Sequence, residues 1–294
     1  MRLPFRTASI VVLSALAIFL QFAASCGKPR DETPVGGERV VSLAPSVTEI
    51  VCAVGGGDLL VGRTSACDYP PLTVARIPVI GGFGAPSLER LIAARPTLVL
   101  DVDLEDESLA KQLQAAGVRR ERIRCKSLDS IPDALLQTGA LLHREHAARS
   151  LADSLRTQIA ALRRDDAGVT NRPSVYVEIW NDPLTTVGRN TFISDLVHLA
   201  GGRNIGDEVE REYYTVSPEW VLARDPDVIL CFYMTPDAGV RDQVLRRSGW
   251  QHLGAIRRGA VHDGFDNNVL LRPGPRVLEG IKAIHESLAA GARP

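Results

Sequence analysis

Leu88-Glu89-Arg90-Leu91-Ile92-Ala93-Ala94-Arg95-Pro96-Thr97-Leu98-Val99-Leu100 returns later in the chain as Pro218-Glu219-Trp220-Val221-Leu222-Ala223-Arg224-Asp225-Pro226-Asp227-Val228-Ile229-Leu230. The Glu, the Ala, the Pro and the final Leu coincide at a constant offset, and the aliphatic residues between them match in kind. Each copy reads as a short helix, a proline stop and a buried apolar strand. Thr48-Glu49-Ile50-Val51 leading to Gly55-Gly56 and Ser194-Asp195-Leu196-Val197 leading to Gly201-Gly202 form a second matched pair. Glycines there read as helix C-caps. Two matched units in the same order imply two similar halves.

Working outward, Val40 to Leu43 is a short strand-like run, and Pro45 opens a helix with Ser46 as expected N-cap and Glu49 closing a capping box. Strands alternating with helices imply parallel sheets. Between the halves, residues 132–164 hold one Pro, at the start, and one Gly, with Leu135, Leu142, Leu151, Leu155, Ile159 and Leu162 as apolar positions. This reads as one helix of about 30 residues, about 45 Å long. The expected fold class is α/β: two similar lobes with central parallel sheets, joined by one long backbone helix. The boundaries expected are 39–131 for the N-terminal lobe, 132–166 for the linking helix and 167–294 for the C-terminal lobe. Such lobes leave a cleft, a preferred place for a ligand. A stiff linker resists wide closure, so a nearly preformed clamp is expected.

The start of the chain is a separate object. Arg2 and Arg6 precede an apolar run from Ile10 to Leu20, and Ala23-Ala24-Ser25 stand before Cys26. This is a secretory signal over 1–26. Its end resembles a bacterial lipobox, with Ala23 where Leu is commoner, and Cys26 is the residue expected to carry lipid. Residues 27–38 read as a flexible tether. No later stretch is apolar for long enough to cross a membrane. A membrane-anchored lipoprotein, periplasmic or on the cell surface, is the expectation.

Composition narrows the function. Of 294 residues, 45% are hydrophobic and 23% charged, which indicates a globular body. The formal charge is −1, and removing Arg2 and Arg6 with the signal takes it to −3. That balance lacks the basic excess of a nucleic-acid binder. Cys52, Cys67, Cys125 and Cys231 make no CxxC pair, so no zinc cluster is expected. A Cys67–Cys125 bridge is conceivable in an exported protein. The histidines show no HExxH spacing, so no metal is assigned. No GxSxG, Walker A or GxGxxG motif points to an enzyme.

Arg39-Val40-Val41-Ser42-Leu43-Ala44-Pro45-Ser46-Val47-Thr48-Glu49-Ile50, then Cys67-Asp68-Tyr69-Pro70-Pro71, Ile80-Gly81-Gly82 and Leu88-Glu89, closely resemble the cobalamin-binding proteins of bacterial ABC importers. The wider group is the helical-backbone, class III periplasmic binding proteins, which also serve ferric siderophores, haem and some oxyanions. The resemblance spans roughly 38–290, and the CDYPP segment narrows it toward the cobalamin branch. It implies capture of cobalamin or another corrinoid, with no catalytic cofactor, and delivery to an ABC permease with its ATPase by a monomeric protein. Pro45, Tyr69 and Phe83 match the N-terminal contacts to the corrin, Phe83 standing where relatives often have Trp. Trp180 and Tyr213 match the C-terminal ones. Arg272, accompanied by Asn268, matches a contact to the ligand's polar rim. Glu89 and Glu219 resemble the exposed acids that meet permease arginines.

Each residue also has an ordinary reading. Tyr69 beside two prolines reads as a packed turn residue, Trp180 after an apolar strand as core, and the two glutamates as solvated helix-start acids. Haem would favour an iron-ligating residue such as Tyr69. Anionic siderophores would favour an arginine cluster, for which only Arg272 and Arg276 are visible. An exported enzyme is the alternative from another class.

Overall fold

The computed structural model describes residues 37–102, 107–166, 171–233 and 239–291. The expected export signal, Cys26 and nearly all of the expected tether lie outside the described residues. Among the described residues, no helix is long and apolar enough to cross a membrane.

Two four-stranded parallel sheets organise the chain. The first runs in the order Leu60–Arg63, Val40–Ser42, Leu98–Asp101, Arg119–Arg122. The second runs Arg203–Asn204, Ser174–Glu178, Val228–Cys231, Val261–His262. Counted within each half, both orders are second, first, third, fourth. The repeat seen in sequence is therefore a repeat of topology.

Local geometry repeats as well. Leu88–Ala93 and Pro218–Arg224 are helices capped by Ser87 and Ser217, whose hydroxyls accept from Arg90 N and Trp220 N. Each ends on a left-handed residue just before its proline: Arg95 at φ 47° and Asp225 at φ 37°. In the other pair, Gly55 and Gly201 end their helices at φ 83° and 91°, the conformation for which glycine is favoured. Gly56 N then donates to Val51 O at 2.8 Å and Gly202 N to Val197 O at 2.9 Å.

Side chains alternate through the sheets as period two requires. Leu98 and Leu100 join Val175, Val177, Val228 and Leu230 in one hydrophobic cluster. Val99 points instead to a smaller cluster with Leu91 and Leu113, and Tyr176 and Ile229 to another with Trp250. The inner strands Val40–Ser42, Leu98–Asp101, Ser174–Glu178 and Val228–Cys231 are buried throughout, which explains their largely apolar sequences, whereas the edge strand Arg119–Arg122 is charged. Because one cluster draws on both halves, they share a core.

The expected helix over 132–166 is corrected. Ser130–Leu141 is one helix, and Glu145–Asp166, of 22 residues, is the long one that leads to the second sheet. They lie antiparallel, tied by Arg156 to Asp133 at 2.7 Å and Arg163 to Asp129 at 2.9 Å. The chain reverses through His143, at φ 54°. Gly139 makes the packing possible, since an added Cβ would lie 2.2 Å from Ala148 Cβ. No proline marks the turn, and both segments have helical periodicity, so the sequence reads through it. At 22 residues, about 33 Å, the linking helix is about 12 Å, or roughly two turns, shorter than the expected 45 Å.

The helix after the first strand is corrected too. It begins at Pro45, a residue suited to a first turn. Its N-cap is Ala44, without a side-chain bond, so Ser46 and Glu49 do not form a capping box. Glu49 is buried and serves elsewhere.

Candidate ligand-binding cleft

The CDYPP loop is shaped by Arg63 at the end of the second strand. Its guanidinium donates to the carbonyls of Thr64, Cys67 and Val74, at 3.1, 2.9 and 2.8 Å. Cys67 is buried with its sulfur 3.2 Å from the Thr64 hydroxyl. Cys125 is also a free thiol, pushed up to about 12 by burial, so no Cys67–Cys125 bridge exists here. The loop thereby presents Asp68 and Tyr69.

Phe83 stands in a tight hairpin between Gly81–Gly82 and Ala85–Pro86. Gly81, at φ 144°, has no room for a side chain: an added Cβ would lie 2.7 Å from Ser87 N. In the second half, Tyr213–Thr215, Leu184–Val187 and Trp180–Asn181 form a three-stranded antiparallel sheet. Trp180 and Thr215 both pair with Thr185. Tyr213 is two residues from Thr215, so period two sets Trp180 and Tyr213 on the same face. Trp180 Nε1 donates to Asp182 O at 2.7 Å, which fixes the indole.

Tyr69, Phe83, Trp180 and Tyr213 are 37%, 47%, 46% and 53% exposed, and among the described residues they are the aromatics in the set of exposed large hydrophobic side chains. This removes the core reading of Trp180. Trp250, by contrast, is fully buried against Tyr176, and Trp220 packs on Tyr214.

The polar side of the site is a chain of alternating charges that crosses between the halves. Arg272 Nη1 donates to Asp68 Oδ1 at 2.5 Å and lies 3.6 Å from Glu49. Arg276 donates to both Glu49 oxygens at 2.9 Å and to Asp266 at 3.3 Å. Its guanidinium lies 3.9 Å from the centre of the Tyr69 ring, a cation–π contact. Asn268 Nδ2 donates to Asp68 Oδ2 at 2.8 Å. Pro45, itself buried, is one helical turn from Glu49 on the same face.

The fold thus brings Tyr69, Asn268, Arg272 and Pro45 around one network. A cavity of about 250 Å³ lies beside it, lined by Cys125 and Lys126 from the first half and Phe192, Tyr213, Leu271 and Pro273 from the second. Tyr213 meets there the segment that carries Arg272. Phe83 is exposed on its own hairpin. Glu49, Asp68, Asp266 and the anchoring role of Arg276 were missed in sequence. Asp68 was inside the quoted CDYPP segment, but its partners are 200 and 204 residues away. Glu89 and Glu219 are exposed at matched helix positions.

Residues 40–265 match the family described as periplasmic binding protein. A vitamin B12-binding protein from Salmonella choleraesuis is 30% identical over 252 residues, covering 85% of this chain and 90% of that protein. The uncharacterized ABC transporter substrate-binding lipoprotein YvrC of Bacillus subtilis is 27% identical, over 85% of this chain and 80% of that one. The solved periplasmic heme-binding protein RhuT of Roseiflexus sp. RS-1 superposes with a TM-score of 0.77 at 30% identity, covering 88% of this chain and 100% of that one.

Proposed function

We propose, on the premise that the chain belongs to the periplasmic binding protein family, that it captures cobalamin or a related corrinoid between its two halves. The chain is a substrate-binding protein of an ABC transporter, working outside the cytoplasm. Proteins of this kind carry a transported ligand and deliver it to a permease.

The observation that carries the corrinoid reading is the set of four exposed aromatics, two from each half. Aromatic rings supply broad contact area at little entropic cost. Polar side chains at one edge, Asn268, Arg272 and Asp68, suit a macrocycle rimmed with amides. Delivery then uses Glu89 and Glu219 as matched charges for the permease, and Cys26 as lipid attachment on a monomeric protein.

Calorimetric titration of the mature chain with cyanocobalamin, haemin and ferric siderophores tests this. Cyanocobalamin is expected to bind without added metal. Binding of haemin or a siderophore with no response to cyanocobalamin would overturn it. Haem is the second reading, favoured by the likeness to the heme-binding structure and by the exposed Tyr69 phenol.

A further inference from the structure

We propose that Asp68 sets the charge preference of the cleft, so that it selects a neutral, amide-rimmed macrocycle over one edged with carboxylates. This rests on the corrinoid reading of the same site and supplies the chemical ground on which that ligand is chosen.

The charges alternate along Asp68, Arg272, Glu49, Arg276 and Asp266. Three carboxylates face two guanidiniums, so the chain carries one negative charge in excess. Glu49 and Arg276 are 4% and 11% exposed and neutralise each other in the interior. At the open end the exposures are unequal: the Asp68 side chain is 47% exposed and that of Arg272 18%. The carboxylate, not the guanidinium, is the group more available to a ligand. A third arginine, Arg63, is committed to backbone carbonyls of its own loop.

An approaching amide can both donate and accept, so it can bond Asp68 with its N–H and Arg272 or Asn268 with its carbonyl. A carboxylate can only accept. It has no N–H to offer Asp68 and meets it as a like charge, so any bond it accepts from Arg272 or Asn268 is made against that repulsion. Specificity is a difference of affinities, and a repulsive group against the wrong ligand is one way to build it.

The test uses the mature chain and its Asp68→Asn variant with two probes: cyanocobalamin and its monocarboxylic acid, in which one rim amide is replaced by carboxylate. The wild type is expected to bind the amide form about tenfold or more tightly, and the variant to lose most of that preference. Adding Arg272→Gln to Asp68→Asn should remove the variant's gain for the acid, because the released guanidinium is what the acid uses. Thermal unfolding of each variant confirms that folded protein is compared. An amide-to-acid ratio unchanged within about twofold by Asp68→Asn overturns the inference while leaving the corrinoid reading in place. If the wild type binds haemin and neither corrinoid, the corrinoid reading falls, and the inference is read from haemin, whose propionates should then bind the variant about tenfold more tightly. Unchanged haemin affinity in that case overturns the inference too, and a wild type that binds none of the three overturns both.

Discussion

Arg276 grips both carboxylate oxygens of Glu49, at 2.9 Å each, across 227 residues of sequence. Glu49 belongs to the first helix of one half, and Arg276 precedes the C-terminal helix that packs in the other. Both are nearly excluded from water, at 4% and 11% exposure. Removing one partner strands a buried charge, so Glu49→Ala or Arg276→Ala is expected to destabilise by about 3–5 kcal/mol. Replacing the pair together, as Glu49→Leu with Arg276→Met, should recover much of that loss, since a well-packed apolar pair often substitutes for buried ions. Urea unfolding measures all three, and single variants as stable as wild type would refute the assignment.

The aromatic positions separate binding from stability. Trp180 and Tyr213 share a face of the small antiparallel sheet and are 46% and 53% exposed, so neither supports the core. Trp180→Ala and Tyr213→Ala are each expected to weaken ligand binding by about tenfold or more while moving the melting temperature little. Trp250→Ala is the contrast: it is fully buried, and its loss should cost about 3–5 kcal/mol of stability. Titration and thermal unfolding of the three variants distinguish the roles. Normal ligand affinity in both exposed-site variants would remove these rings from the cleft.

The repeated helix–proline–strand unit made the sheet architecture legible, because it carries its own stop, cap and apolar strand within thirteen residues. The aromatics were legible through family resemblance and then proved exposed. The reversal at His143 was not legible, because a left-handed histidine has no signature when helical periodicity continues on both sides. Glu49 was misread for a related reason: a Ser-x-x-Glu spacing fits a capping box locally, whereas the guanidinium that claims the carboxylate is far away in sequence. Local rules found the elements, and long-range charge pairing decided the polar half of the site.

A pH effect is expected at the helix Phe192–Leu199, whose first residues line the cavity. His198 Nε2 lies 2.6 Å from Asp207 Oδ2, and Asp207 also accepts from Ser194 and Asn204 at 2.6 and 2.9 Å. The hydrogen bond to Asp207 raises the His198 pKa above 6.5, outweighing burial. Burial alone would raise Asp207, but hydrogen bonds from His198 and Ser194 hold it below 3.8. The His198 contribution is therefore complete below about pH 6.5 and fades as pH rises through its folded value. The Asp207 contribution is complete above about pH 3.8 and fades in stronger acid. Wild type should exceed His198→Gln in melting temperature most clearly between those limits, with the gap shrinking toward alkaline pH. A gap constant from pH 5 to pH 9 would show that the pair does not titrate this way, those pH values being roughly a unit or more either side of the ordinary histidine range.

Glu89 and Glu219 occupy the same place in the two copies of the repeat, the second position of a serine-capped helix. Both side chains are exposed. The Glu219 carboxyl is held below the usual range by its own backbone N–H and then by the Ser217 hydroxyl, so it is a stable anion at neutral pH. Matched negative charges on two similar halves suit a two-fold permease, and rim charges of this kind act mainly on association. The double variant Glu89→Lys, Glu219→Lys is expected to keep ligand affinity within about twofold and to lower ligand delivery by about tenfold or more. Each single reversal should fall between, because one matched contact survives. Uptake measured in vesicles carrying the cognate importer, beside calorimetry on the purified variants, reads both quantities. Unimpaired delivery would release these acids from docking, and a loss of ligand affinity would place them in the cleft instead.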